Sequence, residues 1–408
     1  MKRFLIPLVW LLLSAASMSA QSRLALPQAA APSRDALGSA SIDADGYVYV
    51  SGQGPRRPDG TTASKFTEQV QQSLENVRKV VEAAGLTMHH VVYVQVYLED
   101  ASHYAELNEV FARYFPTEPP ARAVLGVARL PEPAVQITVV AVRDLKEKHP
   151  VSVAAFAPSK AFSPGMLTHD RLFVSTMPGS DPANGTVPKD PAQQVNLALD
   201  RMNAVVQAAG LTMAHMVFVN PYLTPDLPMR VMNVEYAKRF EFGNTPGRAT
   251  IEVSSLPEGA HIAYTGVAVR DLSRRKAVRP KNMPPSPTAS PCVFAGDTLY
   301  CSAKSGFIPG PNDGVFAAST ADQTRQTMRN LLDNLEEAGM NFDQVVSTTI
   351  YLDDLSEAQL FANVYKKYFK TLPAETTVQQ RKPGGRKADE EGHYPDLEQV
   401  SLVAVRRR

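Results

Sequence analysis

Hydrophobic and polar positions change period in a fixed order along the chain. Over residues 41–51 they alternate around Asp45-Gly46, which predicts two antiparallel strands joined by a two-residue turn. Val70, Leu74, Val77, Val81 and Ala84 then recur at steps of four and three, giving one apolar helical face that Gly85 should terminate. Val91–Leu98 is an apolar, β-branched run that reads as a strand, and 104–115 reads as a second helix with Leu107, Val110 and Phe111 inward. Residues 123–127 and 135–142 read as two further strands. The order β-β-α-β-α-β-β gives one sheet of four or five strands with two helices on one face. Its other face, rich in Val, Ile and Tyr, needs cover.

The pattern is repeated. The segment "EAAGLTMHHVVYVQVYL" at 82–98 returns as "QAAGLTMAHMVFVNPYL" at 207–223 and, more weakly, as "EEAGMNFDQVVSTTIYL" at 336–352. Gly85, Gly210 and Gly339 are spaced by 125 and 129 residues, each follows a Gln (Gln69, Gln194, Gln323) by 16, and "AVR" closes every copy. This period is far above the roughly 20–50 residues of solenoid repeats, so each copy is a whole domain. The expected organisation is domain 1 over 36–145, domain 2 over 151–272 and a divergent domain 3 over 292–408. A basic, Pro-rich linker over 273–291 should be extended and exposed. Three such domains in one chain can cover one another's open sheet faces.

At the N-terminus, Lys2 and Arg3 precede an apolar run over 4–13 and a Ser/Ala-rich stretch over 14–20, the layout of a secretory signal peptide. The run is too short to cross a bilayer as a helix, which needs about 20 residues. The expectation is a mobile segment over 21–35 and a periplasmic or secreted chain with no stable membrane insertion once the signal is removed. Lys plus Arg total 42 against 41 acidic residues, a net charge of +1, which disfavours nucleic-acid binding. Two cysteines and eight scattered histidines offer no zinc-ligand spacing, so no metal site is expected. In "CVFAGDTLYC" a turn at Gly296-Asp297 would place Cys292 opposite Cys301. A structural disulfide suits an oxidising compartment, and a pair of reactive thiols is the alternative.

Several strings together resemble the RidA/YjgF family of reactive-intermediate deaminases, also described as endoribonuclease L-PSP-like: "VYVSGQGP", "VRKVVEAAGL", "YAELNEVFARYF", "PPARAVLGVARLP" and "ITVVAVR" in copy 1. Copy 2 is similar through "FVSTMP", "VMNVEYAKRF" and "TPGRATIEVSSLP", and copy 3 more distantly through "FANVYKKYF" and "LPAETTV". The resemblance implies an α+β, chorismate-mutase-like fold that assembles as trimers around a central barrel, with small-molecule clefts between neighbours. Three linked copies would then form an intramolecular pseudo-trimer, a monomer in solution. The implied activity is hydrolysis of enamines and imines of 2-imino acids to 2-keto acids and ammonia, with no cofactor.

Carried over by motif, Arg122 and Arg248 match the family's carboxylate-binding arginine, whose planar fork suits a carboxylate. Copy 3 has Glu375 there, which would repel one. Ser51 and Gly52 match the cleft-lining Ser-Gly, and Ser175 keeps the serine beside Thr176. In copy 3 either Ser302 or Ser305-Gly306 corresponds. Asn108, Asn233 and Asn363 match a family asparagine, with a local backbone contact as the plainer role. The family's water-positioning glutamate is replaced by Gln136, Ala263 and Gln399, and Gln136 is the expected water-positioning residue of copy 1. Glutamine orients a water but takes no proton. The usual tyrosine ahead of the first strand is missing near Gly38. An exported deaminase is therefore set against a non-catalytic pseudo-trimer binding small carboxylates or a partner, and against vestigial clefts. A ribonuclease reading is disfavoured by the neutral charge. The charged, Gly-rich stretch 382–392 of copy 3 reads as an exposed loop beside a cleft.

Overall fold

A computed structural model describes residues 24–25, 37–310 and 314–406. The expected signal peptide lies outside the described residues, as does 21–35 apart from 24–25.

Copy 1 runs β1 (Leu24–Ala25), β2 (Ser41–Ala44), β3 (Tyr47–Gln53), α1 (Phe66–Ala83), β4 (Val91–Leu98), α2 (Tyr104–Tyr114), β5 (Ala121–Gly126) and β6 (Val135–Val142). Copy 2 runs β7 (His149–Val151), β8 (Gly165–Leu167), β9 (Arg171–Pro178), α3 (Pro191–Ala208), β10 (Met216–Leu223), α4 (Met229–Ala237), β11 (Gly247–Arg248), β12 (Ile251–Glu252) and β13 (Ile262–Val269). Copy 3 runs β14 (Arg275–Val278), β15 (Cys292–Ala295), β16 (Thr298–Ser305), α5 (Thr320–Glu337), β17 (Val345–Leu352), α6 (Ala358–Tyr365), β18 (Ala374–Gln379) and β19 (Glu398–Val405).

Local chemistry sets these boundaries. Asp45 and Gly46 both take positive φ (51° and 77°), the conformation a two-residue hairpin turn requires, and Ala44 pairs with Tyr47 across it. Gly85 ends α1 at φ 76°, and the Leu86 amide reaches back to the Val81 carbonyl at 3.1 Å, closing the last turn. Pro191 opens α3, and the Asp190 carboxylate caps it by accepting the Ala192 amide at 3.0 Å.

The sheets are larger than the four or five strands expected. Their orders are β1-β2-β3-β6-β4-β5, β7-β8-β9-β13-β10-β11 and β14-β15-β16-β19-β17-β18, with β12 paired to β10 beyond β11. Each gains a leading strand from the segment before its copy, because the free edge of the first hairpin strand satisfies that segment's backbone polar groups. The 273–291 linker is therefore only partly exposed: Arg275–Val278 pairs with β15, and Val278 is buried. The stretch 382–392 is largely exposed but pinned at Arg386, which reaches Asp353 and Asp354 at 3.7 Å and Glu357 at 3.3 Å. Cys292 pairs with Cys301 across the β15–β16 hairpin, and the two are joined in a disulfide with Cα atoms 4.0 Å apart.

Each copy keeps its own core between sheet and helices. The opposite sheet faces meet at the centre, where Tyr97, Tyr222 and Tyr351 share one apolar cluster and Ile42, Phe173 and Val346 another. Contacts run from β5 to β9, from β11 to β16 and from β18 to β3, so the copies close a ring in the order 1, 2, 3, 1. Arg171 locks the three together where they meet. Wholly buried, it grips Asp170 at 3.0 and 2.6 Å, donates to the Tyr300 hydroxyl of copy 3 at 3.0 Å, and lies 4.2 Å over the Tyr47 ring of copy 1.

Candidate functional site

The ring creates three equivalent junctions, each with one hydrogen-bond relay. The Arg122 amide donates to Ser175 Oγ at 2.7 Å, which donates to the Ser163 carbonyl at 2.6 Å. The Arg248 amide donates to Ser302 Oγ at 2.8 Å, which donates to the Ser290 carbonyl at 2.6 Å. The Glu375 amide donates to Ser51 Oγ at 2.6 Å, which donates to the Ser39 carbonyl at 2.5 Å. Ser302, and not Ser305, is thus the third member of the set. The single hydroxyl proton of each serine is engaged by a carbonyl, so these serines fasten copies together and keep only acceptor capacity for a ligand.

Arg122 is 2% exposed, and its Nη2 donates to Asn108 Oδ1. The rings of Phe111 and Phe162 lie 4.8 and 5.1 Å from its guanidinium carbon. Its buried Nη1 makes no hydrogen bond of normal geometry, the Tyr104 hydroxyl being the polar group that favours its charge, and among the described residues no carboxylate stands within ion-pair distance. Burial pushes the pKa of this guanidinium down. A buried donor left unpaired costs about 1–3 kcal/mol, more for a charged group, so the site is electrostatically incomplete. Arg248 is partly buried and similarly held: Nη1 donates to Asn233 Oδ1 at 2.7 Å, and the Tyr236 ring is 5.3 Å away. Asn108 and Asn233 therefore orient the guanidinium groups. Asn363 instead accepts from Gln359 at 2.8 Å on an exposed helix face. Burial pushes the Glu375 carboxyl up to about 7, and the Thr377 hydroxyl donates to it.

Arg122 and Gln136, both carried by copy 1, lie at different junctions. Gln136 packs on Gly52: a Cβ added there would lie 2.6 Å from Gln136 Nε2. Since β3 and β6 are adjacent strands of copy 1, and β3 faces copy 3, Gln136 belongs with Glu375 and not with Arg122. The corresponding residue on the copy 2 side of the Arg122 junction is Ala263. Gly52 shares the Gln136 side and likewise sits away from Arg122.

Only the junction between copies 2 and 3 pairs an arginine with an amide on the last strand. Arg248, Ser302, Lys304 and Gln399 line one cavity of about 380 Å³, with Met229 and Met283 on its walls. Sequence spacing matches Gln399 to the glutamate position of copy 3 but gives no sign of Lys304, and it joins neither of them to Arg248. That link depends on the pairing order of the copies, which sequence spacing does not contain.

Residues 29–143, 152–269 and 282–383 each match the family model described as Endoribonuclease L-PSP. A RutC family protein of Pyrococcus horikoshii is 36% identical over 109 residues, which are 26% of this chain and 86% of that protein. The mitochondrial protein MMF1 of Saccharomyces cerevisiae is 37% identical over 102 residues, 25% of this chain and 70% of its own. Among solved structures, RidA from an Antarctic Psychrobacter bacterium is 35% identical with a TM-score of 0.28, covering 29% of this chain and 99% of that one.

Proposed function

Since the chain belongs to the Endoribonuclease L-PSP family and carries its domain three times, we propose that it hydrolyses small reactive 2-imino acids to 2-keto acids and ammonia, chiefly at the junction of copies 2 and 3. The observation that carries this reading is the sharing of one cavity by Arg248, which has no carboxylate partner among the described residues, and Gln399. Arg248 holds the substrate carboxylate through its fork, and Asn233 fixes the fork's direction. The Gln399 amide orients a water toward the imine carbon. The water oxygen bonds to that carbon while one of its protons passes to the imine nitrogen, giving a carbinolamine; the remaining hydroxyl proton then passes to the nitrogen as the carbon–nitrogen bond breaks, leaving the 2-keto acid and ammonia. No cofactor is required. The Arg122 junction binds carboxylates but has Ala263 where a water would be oriented.

The test is to generate 2-iminobutanoate in situ and follow its loss. The wild type should accelerate loss over buffer and Arg248→Ala should not; equal rates with wild type and buffer would remove the hydrolytic reading. The second reading, a pseudo-trimer that binds small carboxylates without turning them over, is favoured by the replacement of the family glutamate by Gln136, Ala263 and Gln399. Calorimetry with 2-keto acids would then give heat of binding without turnover. We further propose export, supported by the signal-like segment 1–20 and by the Cys292–Cys301 disulfide. N-terminal sequencing of chain recovered outside the cytoplasm tests it, and an intact Met1 there would count against cleavage.

A further inference from the structure

We propose that the cavity between copies 2 and 3 takes a ligand with two anionic groups, a short dicarboxylate with one carboxylate on Arg248 and the other on Lys304. This rests on the reading of Arg248 as the carboxylate anchor and adds the substrate class. Arg248 comes from β11 of copy 2 and Lys304 from β16 of copy 3, and both line the same cavity. No carboxylate is among the residues lining it. Lys304 is partly buried, and among the described residues its ammonium has no hydrogen bond and no ion pair. Burial pushes its pKa down, and no charged neighbour adds to or offsets that effect. An ammonium withdrawn from water without a counterion is unfavourable, and a ligand anion would supply the missing partner.

The other junctions show that this cation is particular to one cleft. Two residues after the relay serines stand Gln53, Met177 and Lys304. The Gln53 amide turns back on the carbonyls of Ser51 and Gly52 at 2.9 and 3.3 Å, and Met177 is 2% exposed in the core of copy 2. Around Arg122 the neighbours are Tyr104, Phe111 and Phe162. The two arginine junctions therefore differ in kind: one is walled by aromatic rings and carries a single cation, the other offers two cations across a cavity of small-molecule size.

Calorimetry on the full, disulfide-bonded chain with 2-oxobutanoate and 2-oxoglutarate tests the inference. The wild type should bind one equivalent of 2-oxoglutarate about tenfold more tightly than 2-oxobutanoate. Lys304→Met, which installs the residue copy 2 carries, should abolish that preference and keep the 2-oxobutanoate affinity, which also shows that the variant folds. Arg248→Gln should weaken both acids at this site. Equal affinities in the wild type, or a preference that survives Lys304→Met, would overturn the dicarboxylate inference while Arg248-dependent binding leaves the anchor reading standing. Absence of any Arg248-dependent binding would remove both. Borohydride trapping of 2-oxoglutarate on Lys304 would also overturn it, since the lysine would then act as a neutral amine.

Discussion

Arg122 and Gln136 belong to one copy and line different junctions. The Arg122 amide is tied to Ser175 of copy 2 at 2.7 Å, whereas Gln136 packs on Gly52, next to the serine that holds Glu375 of copy 3. Each cleft therefore takes its arginine position from one copy and its last-strand residue from the next, and the three combinations are Arg122 with Ala263, Arg248 with Gln399, and Glu375 with Gln136.

The first prediction is a gain of function. Gln399→Glu places a proton acceptor beside Arg248 and should raise imine hydrolysis, by up to about 10²-fold if general-base assistance was the missing element. Gln136→Glu should leave the rate unchanged, because its junction has no arginine. Rates with 2-iminobutanoate for the two variants decide the matter, and equal gains would contradict the assignment of last strands to junctions.

Arg171 should be a keystone of stability. Replacing it by Met leaves the partly buried Asp170 with the Tyr47 hydroxyl but without its bidentate partner and removes the bond to Tyr300, a loss expected at about 2–4 kcal/mol. Urea unfolding should show a lower midpoint, and separation into more than one transition would indicate that the copies have come uncoupled.

Stability should fall as pH rises from about 5 to 8. In copy 3, burial pushes Glu375 and Asp396 up to about 7, and burial with the neighbouring Asp396 pushes Glu398 up to about 8. Their folded pKa values lie above the ordinary carboxylate range near 4, so the favourable term from keeping them neutral is complete below that range. It is lost as pH climbs through 7 and 8. Melting temperatures at pH 5 and pH 8 measure the slope, and Glu398→Gln, which imitates the neutral acid, should flatten it.

Reducing the Cys292–Cys301 bond should cost about 2–3 kcal/mol, as expected for a short closed loop. Ser302, which takes the Arg248 amide, directly follows Cys301, so ligand affinity at that junction should fall as well. Calorimetric melts and titrations with and without reductant read both effects, and an unchanged affinity would separate the hairpin from the cleft.

What the sequence discloses and what it conceals divides by range. Strands Val91–Leu98 and Val135–Val142 could be read to the residue, because short apolar runs rich in β-branched residues are local signals. The leading strands were not legible: a segment such as Arg275–Val278 has little strand character alone and acquires it from the edge of β15. Arg122 and Arg248 could be found by motif, and their asparagine supports by helix position. Lys304 and Gln399 could not be joined to Arg248, since that requires the direction in which the copies close the ring.

That closure carries a consequence for how such a protein changes over time. In an assembly of three identical chains every substitution appears three times, so a residue that improves one cleft must be tolerated in all. Here Gln53, Met177 and Lys304 occupy one position under three separate codons. Glu375 could replace an arginine in one seam of the ring while Arg122 and Arg248 stayed in the others, which leaves each seam free to specialise by itself.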